Sequence, residues 1–93
     1  MILEKEIEAA AKRYAEKCGV LFWKFTSPGR VGVPDRILIG PFGRIAFVEF
    51  KRQGKRPTDL QRFILKTLSE RGVIATYVDS LDGAKKVIDE LCT

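Results

Sequence analysis

"GVPDRILIGPFGRIAFVEFKRQGKRP", residues 32–57, contains two apolar runs, DRILIG and RIAFVEF, separated by Pro41, Phe42 and Gly43. Each run has the length and the β-branched and aromatic content of a strand. A three-residue hairpin loop is commonly a type I turn closed by a residue in the left-handed region; Pro41 suits the first place and Gly43 the last. With Gly40 facing Arg44, paired residue numbers sum to 84, and Asp35 falls opposite Glu49. Opposed residues of an antiparallel pair project from one face with Cβ atoms ~5 Å apart. Lys51, two residues beyond Glu49, projects from that face as well. A two-residue turn at Phe42 and Gly43 would shift the sum to 85, set Asp35 against Phe50 and disperse the group.

Asp35 and Glu49 are the only carboxylates between Lys17 and Thr58, and both lie in otherwise apolar runs. Burying an unpaired carboxylate is costly, so each requires a partner, a proton or a metal ion. Two facing carboxylates favour a hard cation such as Mg²⁺ or Mn²⁺, which keeps several waters. Such an ion makes a water more acidic, and Lys51 is placed to orient it or to stabilise charge developing on a phosphate. The combination describes phosphodiester hydrolysis without histidine.

The rest of the chain supplies a frame for this group. Leu3 to Cys18 carries Ile7, Ala11, Tyr14 and Cys18 at helical spacing, with Gly19 as terminator. Val20 to Thr26 reads as a strand, followed by the Pro/Gly loop SPGRVGVP. Beyond the basic loop KRQGKRP, Thr58 and Gln61 form a capping-box pattern opening a helix whose apolar face is read as Leu60, Phe63, Ile64 and Leu68, ending at Gly72. Val73 to Asp79 reads as a buried strand and the C-terminal segment as a helix capped by Ser80. A strand, helix, strand succession implies a right-handed crossover, making the last strand parallel to the third. The expected architecture is α/β, in the order α-β-β-β-α-β-α with a mixed four-stranded sheet, as one domain over residues 1–93.

Seventeen Lys and Arg against twelve Asp and Glu give a formal charge of +5, and no histidine is present. From Lys17 to Lys66 there are eleven basic and three acidic residues, a concentration that favours a polyanionic partner. Without histidine the commonest general base and zinc ligand are gone, and Cys18 and Cys92 are too far apart in sequence for a zinc knuckle. The two cysteines read as reduced thiols of a cytoplasmic protein, and no apolar run has the ~20 residues needed to cross a bilayer. Arg52, Lys55 and Arg56 lie beside the proposed metal site and are candidate phosphate contacts, as are Ser27 and Arg30 of the glycine loop. Trp23 and Phe25 read as core or dimer contacts in preference to base-stacking platforms.

Pro34-Asp35, thirteen intervening residues and then Glu49-Phe50-Lys51 resemble the PD-(D/E)xK nuclease motif. The preceding GV, the following GKRPTDLQ, the L..RG end of the second helix and the YVDS strand are similar to the VRR-NUC family of that superfamily. The resemblance implies a restriction-endonuclease-like core in which Asp35, Glu49 and the backbone carbonyl of Phe50 ligate the metal and Lys51 is the catalytic lysine. It also implies that Gln61 sits beside the site and that a glutamate of the first helix completes it, for which Glu6 is taken over Glu8. The middle residue of the strand motif is Phe where many members have Leu. Stand-alone members of this size resemble phage-type enzymes that pair into homodimers and cut branched DNA such as Holliday junctions, without an organic cofactor. The expectation is a Mg²⁺- or Mn²⁺-dependent, structure-selective DNA endonuclease from a phage or its bacterial host. Alternatives are a general endonuclease or nickase, a non-catalytic nucleic-acid-binding module, and a domain in which Mg²⁺ is purely structural.

Overall fold

The computed structural model describes residues 1–93. Its elements are α1 (Glu4–Lys17), β1 (Leu21–Lys24), β2 (Arg36–Ile39), β3 (Ile45–Phe50), α2 (Asp59–Glu70), β4 (Ile74–Val78) and α3 (Leu81–Leu91). The strands form one sheet in the order β1-β2-β3-β4, antiparallel up to β3 and parallel between β3 and β4. This is the mixed α/β architecture expected from the sequence, with strands shorter at their ends than the apolar runs that mark them.

The hairpin sets the register as its turn chemistry requires. Gly43 adopts φ 87°, the left-handed region in which glycine carries no Cβ penalty. Its N–H donates to Gly40 O at 3.1 Å, and Gly40 N–H donates to Arg44 O at 2.8 Å. Pairing then runs Ile39 with Ile45, Leu38 with Ala46, Ile37 with Phe47 and Arg36 with Val48. One face of the sheet presents Phe22, Leu38, Ala46, Val48, Phe50 and Val78 to α1 and α3, which contribute Ile7, Ala11, Ala15, Ala84, Ile88 and Leu91. The small alanines let both helices approach closely, and Phe22 and Phe50 meet edge to face at 5.6 Å.

Gly40 marks where the hairpin meets the end of α3. A Cβ on Gly40 would lie 2.1 Å from the carbonyl oxygen of Leu91, which is backbone and cannot rotate aside. Gly40→Ala should therefore destabilise the fold by ~2 kcal/mol or more, read as a lower urea midpoint with an unchanged slope.

The opposite face of the sheet carries α2 over its β3–β4 half only. The apolar face expected for α2 is corrected here: Ile64 and Leu65 are buried, whereas Leu60 is 46% and Phe63 62% exposed. The β1–β2 half has no helix above it, so Leu21 and Trp23 also remain exposed. Gly32, at φ 88°, brings the glycine loop against the start of α2, where a Cβ would meet Leu60 Cγ at 2.8 Å. The two thiols lie at the C-caps of α1 and α3, where Cys92 Sγ donates to Cys18 O at 3.6 Å. No helix is long and apolar enough to cross a membrane.

Candidate functional site

The antiparallel pairing of β2 with β3 stops at Arg36 and Val48, while β3 continues through Glu49 and Phe50 alongside β4. Asp35 still belongs to the β1 side, since its carbonyl accepts from Phe25 N–H at 2.9 Å. Extending the register places it opposite Glu49 at the point where β2 and β3 part. The two acids, drawn together by a three-residue turn six residues from either one, thus face each other across an opening between strands.

Glu49 and Lys51 are both buried, at 8% and 7% exposure, which is unusual for charged residues at the end of a strand. Lys51 Nζ lies 3.5 Å from Glu49 Oε2, and Gln61 Nε2 donates to the same oxygen at 3.4 Å. The orientation of Gln61 follows from the start of α2. Its Oε1 accepts from Thr58 N–H at 3.0 Å, and Thr58 Oγ1 accepts from Gln61 N–H at 3.1 Å. This capping box leaves the amide NH₂ free to face Glu49, so one side chain serves both the helix terminus and the site.

Asp35 Oδ1 is the one buried side-chain polar atom without a hydrogen-bond partner. Burial raises the Asp35 pKa, with further contributions from the negative charge of Glu8 and Glu4, opposed by the Phe50 backbone N–H. Burial likewise raises Glu49, to about 7, reinforced by Asp35 and opposed by Lys51. Two carboxylates with elevated proton affinity, one carrying an orphaned buried oxygen, form a donor set suited to a divalent cation. No group of three or more carboxylate or thiol side chains converges anywhere in the fold. A pair of carboxylates nevertheless matches the habit of Mg²⁺, which binds through one or two carboxylates and keeps waters or substrate phosphate in its other positions.

The sign of the linkage follows directly. With no metal bound, the folded chain holds the Glu49 proton up to about pH 7, whereas the unfolded chain releases it near the ordinary value of 4.5. This contribution to stability is full below pH 4.5 and is lost as the pH rises towards 7. A cation at the pair stabilises the ionised form and offsets the loss.

Glu6, expected beside the pair, turns back to accept from Leu3 N–H at 3.1 Å. It occupies the third position of the helix, where a glutamate satisfies one of the free amides of the first turn. The α1 carboxylates whose charge reaches Asp35 are Glu8 and Glu4, which line a cleft of about 300 Å³ with Asp35, Lys24 and Arg36. Glu8 is itself held by Arg36, Nε to Oε2 2.8 Å, and the guanidinium lies 5.0 Å from the centroid of Phe22. Sequence reasoning missed this ion pair, although Arg36 directly follows Asp35 and Glu8 follows the core residue Ile7.

The basic candidates fall into two places. Arg52 and Lys55 flank a cavity of about 370 Å³ next to Leu3, Glu4 and Lys5 at the start of α1. Arg56 is exposed on the same loop. Ser27 and Arg30 lie instead at a separate cavity beside α2. Phe50, whose carbonyl is the further expected ligand, anchors the end of β3 with its ring fully buried.

No family model matches the chain. "Putative nuclease p44" of Acyrthosiphon pisum secondary endosymbiont phage 1 is 46% identical over 61 residues, so the match spans 66% of this chain and just under two thirds of that relative. A solved structure described as "VRR_NUC domain" superposes with a TM-score of 0.84 at 31% identity, covering 96% of this chain and 97% of its own. Another, "VRR_NUC domain protein", shares the fold at a TM-score of 0.74 and 17% identity, covering 97% of this chain and 88% of its own.

Proposed function

We propose, from the premise that this chain belongs to the VRR-NUC family, that it is a divalent-metal-dependent endonuclease that hydrolyses phosphodiester bonds in branched DNA as a homodimer. The observation that carries the reading is the pairing of half-buried Asp35, with its orphaned Oδ1, and buried Glu49, backed by Lys51 and Gln61. A module that only bound DNA would gain nothing from two facing carboxylates turned towards a polyanion.

Asp35, Glu49 and the Phe50 carbonyl would hold Mg²⁺ or Mn²⁺, which when bound supplies Lewis acidity towards the phosphate and a more acidic water. Hydrolysis forms a bond from water oxygen to phosphorus and breaks the bond to the leaving sugar oxygen, which must acquire a proton. Lys51, held in place by Glu49, presents N–H donors where negative charge accumulates on the phosphate oxygens. Gln61 and Lys51 both engage Glu49 Oε2, which keeps the carboxylate in one orientation. Glu8, restrained by Arg36, adds negative potential at Asp35 and so helps the site attract a cation. Arg52, Lys55 and Arg56 hold the DNA backbone on the α1 side, and Ser27 and Arg30 on the α2 side.

Each chain carries one such site, so symmetrical cutting of a four-way junction needs two copies about a two-fold axis. Leu21 and Trp23, exposed at 45% and 56% on the edge strand β1, are the apolar residues that best suit the contact between copies. A phage genome or its bacterial host is the proposed source and the cytoplasm its place of action, in keeping with the phage relative.

The test is cleavage of labelled four-way junction, flap, single-stranded and linear duplex DNA with Mg²⁺, with Mn²⁺ and with chelator. Paired symmetrical nicks in the junction, dependent on metal, are the expected result. Cutting of all forms alike would reduce the reading to a general endonuclease, and binding without cutting under either metal would replace it with a binding module.

A further inference from the structure

Beside the carboxylate pair, on the same face of the sheet, lies a cavity of about 500 Å³ whose aromatic lining the hydrolytic reading does not use. Its floor is Phe25 and Phe47, in edge-to-face contact at 5.3 Å, so Phe25, expected as a core or dimer contact, lines an open cavity instead. One wall is Phe63 and Thr67 on α2, and Ser27 and Arg30 stand on the loop side. The position is fixed by register: Phe25 N–H donates to Asp35 O, and Phe47 lies one strand alternation before Glu49. A helix residue as exposed as Phe63, at 62%, is not filling the core of this chain.

We propose that this cavity receives an unpaired nucleobase of the DNA, turned out of its stack beside the phosphate that a cation at Asp35 and Glu49 would hold. The inference rests on the nuclease reading and specifies its substrate. The volume lies within the ~300–1,000 Å³ typical of small-molecule sites. Three aromatic rings match a flat π-system that every base possesses, whichever the sequence. Arg30, which lines the same cavity and takes part in none of the four ion pairs of the fold, supplies a charge for the phosphate attached to that base. An apolar peptide would bring no charge for Arg30, whereas a nucleotide brings both the ring and the anion. Extruding a base costs least where it is already unpaired, so the cavity favours branch points, bulges and single-stranded flanks over intact duplex.

The experiment uses a duplex bearing one unpaired 2-aminopurine and the same duplex with an abasic residue at that position, both in chelator. Affinity is read by anisotropy and base position by 2-aminopurine emission. The full chain should bind the base-bearing DNA ~10-fold more tightly than the abasic DNA, with a change in emission on binding. Phe63→Ala should bring that ratio towards one, and Phe63→Trp should retain it. Equal affinity of the wild type for both DNAs, or a parallel loss for both in Phe63→Ala, overturns the proposal. Loss of a dimer on sedimentation of Phe63→Ala would also overturn it, by assigning the cavity to a second copy. Cleavage of the same DNAs with Mn²⁺ is scored separately. Base preference without cutting would sink the nuclease reading alone, and cutting without base preference would sink the cavity alone.

Discussion

Replacing Asp35 with Asn should lower DNA cleavage by ~10³-fold or more while leaving DNA affinity equal or higher. The substitution keeps the shape of the side chain and removes the charge that a divalent cation requires. It also removes a negative charge from the face proposed to meet the DNA backbone, so binding should not fall with activity. In the fold the change removes two costs: Asp35 loses the desolvation of a half-buried carboxylate, and Glu49 loses the neighbour that helps to raise its pKa. Asp35→Asn should therefore be at least as stable as wild type in chelator, separating loss of activity from loss of fold. The readouts are single-turnover cleavage of a four-way junction and anisotropy of the same DNA without metal. A variant that lost binding in proportion to cleavage would place Asp35 in DNA contact only.

Lys51→Ala should cut the rate by ~10²–10³-fold with a much smaller change in affinity, because in the proposed mechanism its Nζ acts on charge that grows only in the transition state. Lys51 is buried against Glu49, so its removal also leaves that carboxylate without its positive neighbour. The pKa of Glu49 then rises further, and more metal is needed to reach half-maximal rate. The two effects separate on titration: saturating Mn²⁺ restores the contribution of Glu49 but not that of Lys51. A rate that returned to wild type at high metal would reduce Lys51 to a positioning residue for Glu49.

The site is legible in the sequence where local chemistry fixes geometry. Three residues, Pro41 to Gly43, determine the hairpin, the hairpin determines the register, and the register brings Asp35 to Glu49 without reference to the rest of the chain. Gln61 is legible for a similar reason, since its backbone place in the capping box and its reach to Glu49 are one arrangement. Glu6 shows the limit. Helical periodicity reports the side of α1 from which a residue projects, and Glu6 and Glu8 both flank the apolar stripe. What separates them is competition at the helix start, where Glu6 is taken by the Leu3 amide, and an ion pair with Arg36 made across 28 residues of sequence. Capping alone does not separate them, since Gln61 caps its own helix and still reaches Glu49. The exposure of Leu60 and Phe63 was not legible for a different reason. An apolar stripe marks what a helix can bury, and α2 covers only the β3–β4 half of the sheet.

The central claim, that Asp35 and Glu49 are built to hold a divalent ion, is tested most directly by thermal melting of wild type and Asp35→Asn from pH 4.5 to 8, in chelator and in Mn²⁺. In chelator the wild-type melting temperature should fall as the pH rises from about 4.5 to about 7, the interval over which Glu49 keeps its proton in the folded state only. Mn²⁺ should restore stability at pH 7 and above and have little effect near pH 4.5, and both trends should weaken in Asp35→Asn. A wild-type melting temperature that Mn²⁺ leaves unchanged at pH 7 to 8 would contradict the account.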